Sequence, residues 1–446
     1  MTAKSNLAEF NEWIESRYPH QPEFLQATKE LAEDVMPVYN AHADYKSYNV
    51  LKRLSEPERI VNFAVHWVND NGEVEINRGW RVQHSGLIGP YKGGLRFHPT
   101  VNESVLKFLA FEQSFKNALT GLPMGGAKGG SEFNPKGRSD NEIMRFCQAF
   151  MQELQRHIGP QTDVPAGDIN VGAREIGYLY GQYRRMHNKF GGSLTGKDID
   201  FGGSHVRTEA TGFGLIYMLE CVLVQHNDKL EDKRIAISGA GNVALHAALK
   251  ATELGGRVIS LSNSRGCYIK EEGLSTTAIR WAIDNRMSED NVLTALTEQH
   301  GGSWFEGSKP WGFPADIALP CATQNELDES SAKQLIDNHC GYVLEGANMP
   351  TTHQAKTQLT NADIVFVPGK AANAGGVALS GMEMSQNAAF ERKSFATLDD
   401  ELRSIMAHIH LRCAEEGTEG ERVNYAKGAN IAAFRQLANA MVAQGV

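Results

Sequence analysis

Three lysines in the first third of this 446-residue chain have neighbours that suit a chemical role. They are Lys92 in G-P-Y-K-G-G-L-R-F-H-P (89–99), Lys116 in F-E-Q-S-F-K-N (111–117) and Lys128 in L-P-M-G-G-A-K-G-G (122–130). Flanking glycines leave room for a ligand beside a lysine. Two lysines can each hold one carboxylate of a dicarboxylate, and a third, partly desolvated, can serve as an acid or base. Gln113 shares a helix face with Lys116. The alternative for any one lysine is a solvated surface residue.

An acidic residue in a similar setting is Asp168, in V-P-A-G-D-I-N-V-G (164–172). Pro165 and Gly167 predict a loop that places Asp168 ahead of a helical segment. A carboxylate held there can transfer protons. Asp is also a good helix N-cap, and the spacing does not distinguish the two interpretations.

A dinucleotide-binding turn is predicted in R-I-A-I-S-G-A-G-N-V-A (234–244), which joins a predicted strand to a predicted helix. Gly239 would make the tight turn, and Gly241 would let the backbone approach a pyrophosphate. Asn242 and Val243 open the helix, whose free N–H groups favour anions. Ala244 replaces the usual third glycine but still permits close packing. The alternative is a glycine-rich turn that binds no ligand.

The end of the next predicted strand discriminates between cofactors. NAD enzymes tend to place an acid there to bind the ribose 2′-hydroxyl. This chain instead has Ser262, Asn263, Ser264 and Arg265. The two serines can hydrogen-bond a phosphate and Arg265 can pair with one, which favours NADP(H). The alternative is that Arg265 is a solvated loop residue.

The elements that would position these residues fall into two patterns. The first ~55 residues are predicted to be helical, followed by a hairpin of strands 59–68 and 73–86, with Gly72 in the turn. Helices are predicted at 102–120, 140–157 and 172–186, with a glycine-rich strand or loop at 125–135. From about 200, short strands at 234–239, 257–262, 316–320, 341–346 and 363–369 alternate with helices, which indicates a parallel sheet. From about 375 the chain is predicted to be helical.

Composition excludes several classes of protein. Hydrophobic residues make up 41% and charged residues 22%, which is typical of a globular chain. A net charge of −9 argues against a nucleic-acid partner. The six scattered cysteines form no C-x-x-C pair, no metal-ligand cluster is evident, and no metal is expected. Without an apolar leader or an apolar run of about 18 residues, we expect a soluble cytoplasmic protein and no membrane partner.

Taken together, the motifs resemble a known family. The 89–99, 122–130, 164–172 and 239–244 segments, with E-G-A-N-M-P-T-T (345–352) and P-G-K-A-A-N-A-G-G-V (368–377), are similar to the hexameric glutamate dehydrogenases of the Glu/Leu/Phe/Val dehydrogenase superfamily. The resemblance implies an α/β fold of two domains and a homohexamer. Residues 1–200 would bind substrate and mediate oligomerisation, and 201–375 would form a Rossmann-type dinucleotide-binding domain. Helices in 376–446 would pack back on the first domain.

The resemblance also implies a role for each site residue. Lys92 and Ser380 would bind the side-chain carboxylate of the substrate, and Gln113 and Lys116 the α-carboxylate. Lys128 and Asp168 would be catalytic, and the Gly167 carbonyl would accept from the substrate amine. Further cofactor contacts would be Thr211, Asn242, Ala322, Thr323 and Asn348.

The reaction implied by the resemblance is the reversible oxidative deamination of L-glutamate to 2-oxoglutarate and ammonia with NADP(H), used in the cell for ammonia assimilation. Two alternatives remain from the sequence. One is a dehydrogenase of branched-chain or aromatic amino acids from the same superfamily, in which Lys92 and Ser380 would have no purpose. The other is a silent dinucleotide-binding sensor, which would not need both Lys128 and Asp168.

Overall fold

The structure of the chain is a computed structural model that describes residues 3–445, with side chains from Asn6 onward. Its internal contacts divide the chain into two compact units. Unit 1 comprises 1–205, 378–398 and 430–446, and unit 2 comprises 206–377 and 399–429. Among the described residues, no helix is long and apolar enough to cross a membrane.

Unit 1 is built on a five-stranded mixed sheet. Its strands are β1 (Arg59–Val68), β2 (Val74–Ser85), β3 (Tyr91–Phe97), β4 (Gly126–Ser131) and β5 (Asp163–Gly167). The order is β1-β2-β4-β3-β5. The first two strands form the predicted antiparallel hairpin, with Gly72 at φ 81° in its turn. Strands β3, β4 and β5 run parallel to one another, so their carboxyl ends lie at one edge of the sheet.

Helices cover both faces of this sheet. They are α1 (Ala3–Arg17), α2 (Pro22–Ala41), α3 (Ala43–Ser47), α4 (Val50–Leu54), α5 (Glu103–Leu119), α6 (Asp140–Leu154) and α7 (Ala173–His187). Helix α5 begins at an Asn102 cap and packs on β2 and β4. Helix α6 begins at a Ser139–Glu142 capping box. On the other face, α6 and α7 bury an aromatic core that includes Trp67, Phe97 and Phe146.

Unit 2 contains a seven-stranded sheet in the order β12-β11-β10-β6-β7-β8-β9. The elements, in chain order, are α8 (Ala210–Gln225), β6 (Arg234–Ile237), α9 (Asn242–Glu253), β7 (Arg257–Ser262), β8 (Gly266–Ile269), α10 (Thr276–Asn285), α11 (Val292–His300), β9 (Ser303–Glu306), β10 (Ile317–Leu319), α12 (Glu329–Asp337), β11 (Tyr342–Leu344), α13 (His353–Asn361), β12 (Val365–Val367) and α14 (Gly369–Ala372). Strands β12, β11, β10, β6 and β7 are parallel, which confirms the Rossmann-type prediction.

The remaining elements are α15 (Gly375–Ala389), α16 (Phe395–Gly417), β13 (Thr418–Glu419), β14 (Arg422–Val423) and α17 (Tyr425–Gln444). The sequence analysis assigned all of 376–446 to the first domain. The contacts instead place 399–429 in unit 2, where Asp399 accepts from Tyr217 at 2.5 Å and from Lys250 at 3.3 Å. A small antiparallel ladder also interrupts the predicted helical C-terminus.

Three further expectations need correction. Strands β8 and β9 are antiparallel, so the sheet of unit 2 is not wholly parallel. Strand β3 was not predicted, because its Gly93 and Gly94 weaken the strand pattern. The segment around Pro165 is strand β5 and not a loop, and Pro165 is tolerated because β5 is the edge strand.

Candidate active site

One face of the unit 1 sheet carries four charged side chains that we call the catalytic cluster: Lys92, Arg96, Lys128 and Asp168. Side chains alternate along a strand, so Lys92 and Arg96 lie on the same face of β3. The register pairs Arg96 with Gly130, two residues beyond Lys128, and Leu95 with Gly167, just before Asp168. Neighbouring parallel strands therefore bring together residues that are up to 76 positions apart in the sequence.

The glycines beside Lys92 have a structural reason that differs from the predicted one. A Cβ on Gly93 would lie 1.6 Å from the Ala127 carbonyl oxygen, and one on Gly94 would lie 2.6 Å from the Gly167 carbonyl oxygen. The glycines thus allow β3 to fit between β4 and β5. The sequence analysis attributed them to ligand access; the neighbouring backbone alone already requires them.

Asp168 is not a helix cap, because the N-cap position of α7 is Gly172. Its carboxylate is instead shared by two cations. Lys128 Nζ donates to Oδ1 at 2.9 Å, and Arg96 Nε donates to Oδ2 at 2.7 Å. All three side chains are largely buried, with 13% of the Asp168 side chain exposed. This removes the alternative that the spacing had left open.

Burial and neighbouring charges shift the pKa values of Lys128 and Asp168. Burial lowers the pKa of Lys128, the charges of Arg96 and Arg81 lower it further, and the Asp168 carboxylate opposes them. Burial alone would raise the pKa of Asp168, but the charges and hydrogen bonds of Lys128 and Arg96 outweigh it and hold that pKa well below its usual range. Asp168 is therefore ionised, and Lys128 loses its proton more readily than a lysine in water.

The other predicted substrate ligands of this half lie on α5 and β3. Lys92 is buried, whereas Gln113 and Lys116 are half-buried on α5. Asn117, which is fully buried, links the two elements: its amide donates to the Lys92 carbonyl at 3.1 Å and accepts from Gln113 at 2.7 Å. These bonds connect Gln113 on α5 to the backbone of Lys92 on β3.

Ser380 is buried on the part of α15 that belongs to unit 1. The next residue, Gly381, packs on Leu122 and Met124, just ahead of β4. One turn further, the Glu383 carboxylate pairs with Lys197 at 2.9 Å, and both side chains are completely buried. Breaking a buried pair of this kind typically costs about 3–5 kcal/mol, so the pair anchors the helix that carries Ser380.

Asp168 also borders open space. It lines a depression of about 420 Å³ whose walls include Pro135, Lys136, Asn170 and Arg174. Asp168 thus borders both the cluster and this depression.

In unit 2, the glycine-rich turn has the geometry that the fingerprint predicts. Gly239 has φ +91°, a left-handed conformation that glycine adopts without strain. Gly241 precedes α9, and a Cβ placed on it would meet no other atom within 4 Å. Ala244 is fully buried against the turn. An anion can therefore reach the first backbone N–H groups of α9, including those of Asn242 and Val243.

The residues after β7 have partners of their own. The Ser262 hydroxyl accepts from the Gly239 N–H at 3.1 Å, so it stabilises the turn. Asn263 accepts from the Arg265 N–H at 2.8 Å, while Ser264 is exposed. The Arg265 guanidinium is half-exposed and binds both oxygens of Asp290, at 2.6 and 3.1 Å. Arg265 is thus an exposed loop residue whose guanidinium is paired with Asp290 in this structure.

The remaining predicted cofactor contacts lie around the carboxyl edge of the same sheet or at the start of a helix. Thr211 is in the first turn of α8, close to Gly376. Ala322 and Thr323 follow β10 and are exposed, and the Ala322 N–H donates to Glu326 at 2.9 Å. Asn348 follows β11 and accepts from Asn373 at 3.1 Å. The loops after β6, β7, β10 and β11 form what we call the nucleotide face.

Sequence reasoning missed Arg96, Asn117, Arg286, Glu383 and Asp290. Arg96 carried a signal: it lies four residues after Lys92, on the same side of any strand that contains both. Arg286 donates to Asn242 Oδ1 at 2.9 Å, beside the start of α9. This contact joins residues 44 positions apart, and no local pattern predicts it.

Within the described residues, no group of three or more His, Cys, Asp or Glu side chains could hold a metal ion.

Comparison with known proteins is consistent with this geometry. Residues 57–185 match the model of the Glu/Leu/Phe/Val dehydrogenase dimerisation domain, and residues 202–445 match that of Glutamate/Leucine/Phenylalanine/Valine dehydrogenase. The chain is 51% identical to an NADP-specific glutamate dehydrogenase of Escherichia coli (strain K12), covering 99% of both chains. It is 50% identical to an NAD-specific glutamate dehydrogenase of Bacteroides fragilis (strain YCH46), covering 99% of this chain and 100% of the relative.

Among solved structures, the chain is similar to a crystal structure of Plasmodium falciparum glutamate dehydrogenase. The TM-score is 0.97 at 47% identity, with 100% of this chain and 95% of the other covered. The similarity therefore extends over both units and over all the segments that carry the site.

Proposed function

Because this chain belongs to the Glu/Leu/Phe/Val dehydrogenase family, we propose that it is a glutamate dehydrogenase that uses NADP(H). It converts L-glutamate reversibly to 2-oxoglutarate and ammonia. The observation that carries the proposal is the buried Lys128–Asp168 pair, held beside the buried Lys92 on one face of the unit 1 sheet. This arrangement supplies both an acid–base pair and a fixed positive charge for a carboxylate.

Substrate binding uses the two ends of a dicarboxylate. Lys92 and Ser380 hold the side-chain carboxylate, and Gln113 and Lys116 hold the α-carboxylate. Two-point binding fixes the orientation of the α-carbon. Such positioning can lower the activation free energy by on the order of 7 kcal/mol in favourable cases. Asn117 supports this assignment because it connects Gln113 to the backbone of Lys92. The Gly167 carbonyl accepts a hydrogen bond from the substrate amine.

The proton transfers belong to Lys128 and Asp168. Bound NADP⁺ supplies the acceptor for the hydride that leaves the α-carbon. In its neutral form, Lys128 takes a proton from the water that adds to the resulting imine carbon. The lysine ammonium so formed stabilises the carbinolamine oxygen. Asp168 then relays this proton from Lys128 to the nitrogen. As the C–N bond breaks and ammonia leaves, Lys128 takes the hydroxyl proton and the carbonyl of 2-oxoglutarate forms. The lowered pKa of Lys128 supports the first of these steps.

The residues of the nucleotide face fit a dinucleotide phosphate. The open space beside Gly241 would take the pyrophosphate at the first turn of α9. Thr211, Asn242, Ala322, Thr323 and Asn348 would contact the rest of the cofactor. At the ribose end, Ser262, Asn263, Ser264 and Arg265 include no acid, and Arg265 supplies a planar cation suited to a 2′-phosphate.

The ribose end is the region that must decide the cofactor. The Escherichia coli and Bacteroides fragilis relatives have nearly the same identity to this chain, yet one is named NADP-specific and the other NAD-specific. Overall similarity is therefore a poor guide to this property, and the residues around Arg265 are the physical basis of the NADP(H) assignment.

Two further properties complete the proposal. We propose a homohexamer in the cytoplasm that works in ammonia assimilation. Strand β1 is an edge of the unit 1 sheet, and Val74 and Ile76 of the neighbouring β2 are two-thirds exposed, which supports association through this region. Light scattering coupled to size-exclusion chromatography tests the hexamer, and cell fractionation tests the location.

A substrate panel tests the reaction itself. Initial rates of NADPH oxidation with ammonia are measured with 2-oxoglutarate and with the 2-oxo acids of leucine, valine and phenylalanine. We expect 2-oxoglutarate to exceed every other acid at least about 100-fold in kcat/KM, because only its second carboxylate can use Lys92. Preference for an apolar 2-oxo acid would overturn the glutamate assignment, and no turnover with any acid would favour a non-catalytic protein.

A further inference from the structure

We propose that Arg96 is a positioning residue for the proposed reaction: it holds one oxygen of Asp168 and supplies a fixed charge that allows Lys128 to release its proton. The inference deepens the proposed function and rests on it, because it concerns the same acid–base pair. Arg96 has no role in the mechanism derived above, yet it makes the shorter of the two hydrogen bonds to Asp168.

The geometry gives each oxygen of Asp168 its own cation. Oδ2 accepts from Arg96 Nε at 2.7 Å and Oδ1 accepts from Lys128 Nζ at 2.9 Å. Arg96 comes from β3, Lys128 from β4, and Asp168 directly follows β5. Because these strands are hydrogen-bonded neighbours, the three side chains cannot separate without distortion of the sheet. The carboxylate is thus held in one orientation by two strands.

The charge balance explains why a second cation is needed. With only Asp168 beside it, Lys128 would form a neutral buried pair, and its deprotonation would leave an unpaired buried anion. With Arg96 present, the same deprotonation takes the three groups from a net charge of +1 to zero. Arginine keeps its proton at any working pH, so this compensation is permanent. Arg96 therefore converts a stable ion pair into a lysine that can act as a base.

The surrounding charges are consistent with this role. On β2, Arg81 also lowers the pKa of Lys128, but it is bonded through its Nε to Asp163 at 2.9 Å, and both side chains are fully buried. Its charge is therefore largely compensated. The other charged side chains on β3 and on α5, both of which pack on β4, are Lys92, Glu103, Lys107, Glu112 and Lys116. Arg96 is the cation that contacts the partner of Lys128 directly.

The experiment measures kcat/KM for glutamate oxidation as a function of pH in the full-length enzyme. Oxidation requires neutral Lys128, so activity rises with pH through the pKa of that lysine. Removing the positive charge of Arg96 raises the pKa of Lys128. In Arg96→Met and Arg96→Gln we therefore expect the rising limb of the pH profile, where activity increases with pH, to move to higher pH by about 1 to 2 units. Arg96→Gln keeps a donor for Asp168, so it separates the loss of charge from the loss of a hydrogen bond.

Two controls complete the design. Arg96→Lys retains the charge, and we expect its limb to lie much closer to that of the unchanged enzyme. Arg78→Met removes an exposed arginine from β2 of the same sheet and should leave the limb in place. As an independent readout, Arg96→Ala is assayed with and without added methylguanidinium, a small cation that should move the limb back towards lower pH.

The outcomes separate the inference from the proposed function. A rising limb at the same pH in folded Arg96→Met, Arg96→Gln and the unchanged enzyme would overturn the inference and leave Arg96 a purely structural residue. A limb that fails to respond to methylguanidinium in Arg96→Ala would do the same. Absence of glutamate oxidation in the unchanged enzyme would instead refute the proposed function.

Discussion

The catalytic cluster of unit 1 and the nucleotide face of unit 2 hold their charges in opposite ways. Lys92 and Lys128 lie buried on inner strands of the sheet, Asp168 follows the edge strand β5, and the Asp168 carboxylate is bonded to Lys128 and Arg96. Arg265 and Asp290 instead form an ion pair in which 51% and 87% of the side chains are exposed. Burial strengthens electrostatic interactions, whereas solvent and salt screen an exposed pair.

This difference indicates a division of labour. In the cluster, Arg96 and Asp168 both shift the pKa of Lys128, so we expect a single substitution to alter the chemistry. On the nucleotide face, the groups exposed to a cofactor are backbone N–H groups and surface side chains, so we expect substitutions there to adjust affinity and cofactor preference in small steps. Cofactor names that differ between relatives of nearly equal identity agree with such an adjustable region.

The largest expected effect is that of Lys128→Ala. We expect kcat for glutamate oxidation to fall by about 10³- to 10⁴-fold, because both the base and the charge that stabilises the carbinolamine oxygen are lost. Binding of NADPH, followed by its fluorescence, should change less than two-fold. The exposed Lys189→Ala serves as the control and should retain full activity. Activity within ten-fold of normal in Lys128→Ala would remove Lys128 from the catalytic role.

A smaller effect is expected from Arg265→Ser on the nucleotide face. The kcat/KM for NADPH should fall about 10- to 100-fold and that for NADH should stay nearly constant, since only NADPH carries the 2′-phosphate. Titration with 2′,5′-ADP and 5′-AMP provides a readout that is independent of turnover. Arg280→Ser, another exposed arginine in unit 2, is the matched control. An equal loss for both cofactors would show that Arg265 does not recognise the 2′-phosphate.

A buried lysine outside the cluster tests whether burial alone lowers a lysine pKa in unit 1. Burial lowers the pKa of Lys107 to about 8, and Lys107 lies over the Tyr18 ring at 3.0 Å from its centre. The unfolded chain binds more protons than the folded one between pH 8 and 10.5, so the free energy of unfolding should rise across this window.

We expect Lys107 to contribute about 1–2 kcal/mol to that rise, after allowance for solvent screening. Denaturant unfolding at a series of pH values should show the rise in the unchanged protein and a flatter curve in Lys107→Met. Lys46→Met removes an exposed lysine and should keep the rise. Parallel curves for Lys107→Met and the unchanged protein would contradict a lowered pKa at this site.

The smallest effect is expected from Asp290→Asn. The Asp290 carboxylate binds the Arg265 guanidinium, which a 2′-phosphate would also bind. Neutralising Asp290 should therefore lower KM for NADPH about two- to five-fold and leave KM for NADH unchanged. The neighbouring exposed Glu289→Gln tests whether any loss of negative charge has the same result. A decrease in KM for NADPH of equal size in both variants would indicate a general effect of surface charge and not competition for Arg265.

Local patterns predicted what depends on a few consecutive residues. The turn at Gly239, the start of α9 and the hairpin at Gly72 follow from glycine conformation and from the change of hydrophobic period, and the structure agrees. The motif resemblance likewise led to Lys128 and Asp168, which the structure brings within 2.9 Å of each other.

Contacts between distant segments could not be predicted. Arg96 and Asp168 are 72 positions apart, and their pairing depends on the register of β3 with β5. The partner of Arg265 is Asp290, which comes from the loop between α10 and α11. Strands β8 and β9 were not predicted at all, because each has only four residues, too few to show a clear alternation of apolar and polar side chains. The reason for Gly93 likewise became evident only with the neighbouring backbone in place.

The most direct test of the account compares the two cofactors in the unchanged enzyme. Initial rates of 2-oxoglutarate amination are measured with NADPH and with NADH at a fixed ionic strength. The account predicts a kcat/KM at least ~100-fold higher for NADPH, equivalent to about 2.7 kcal/mol of transition-state discrimination. Equal or better use of NADH would contradict the assignment of NADP(H) and the role of Arg265 at the ribose end.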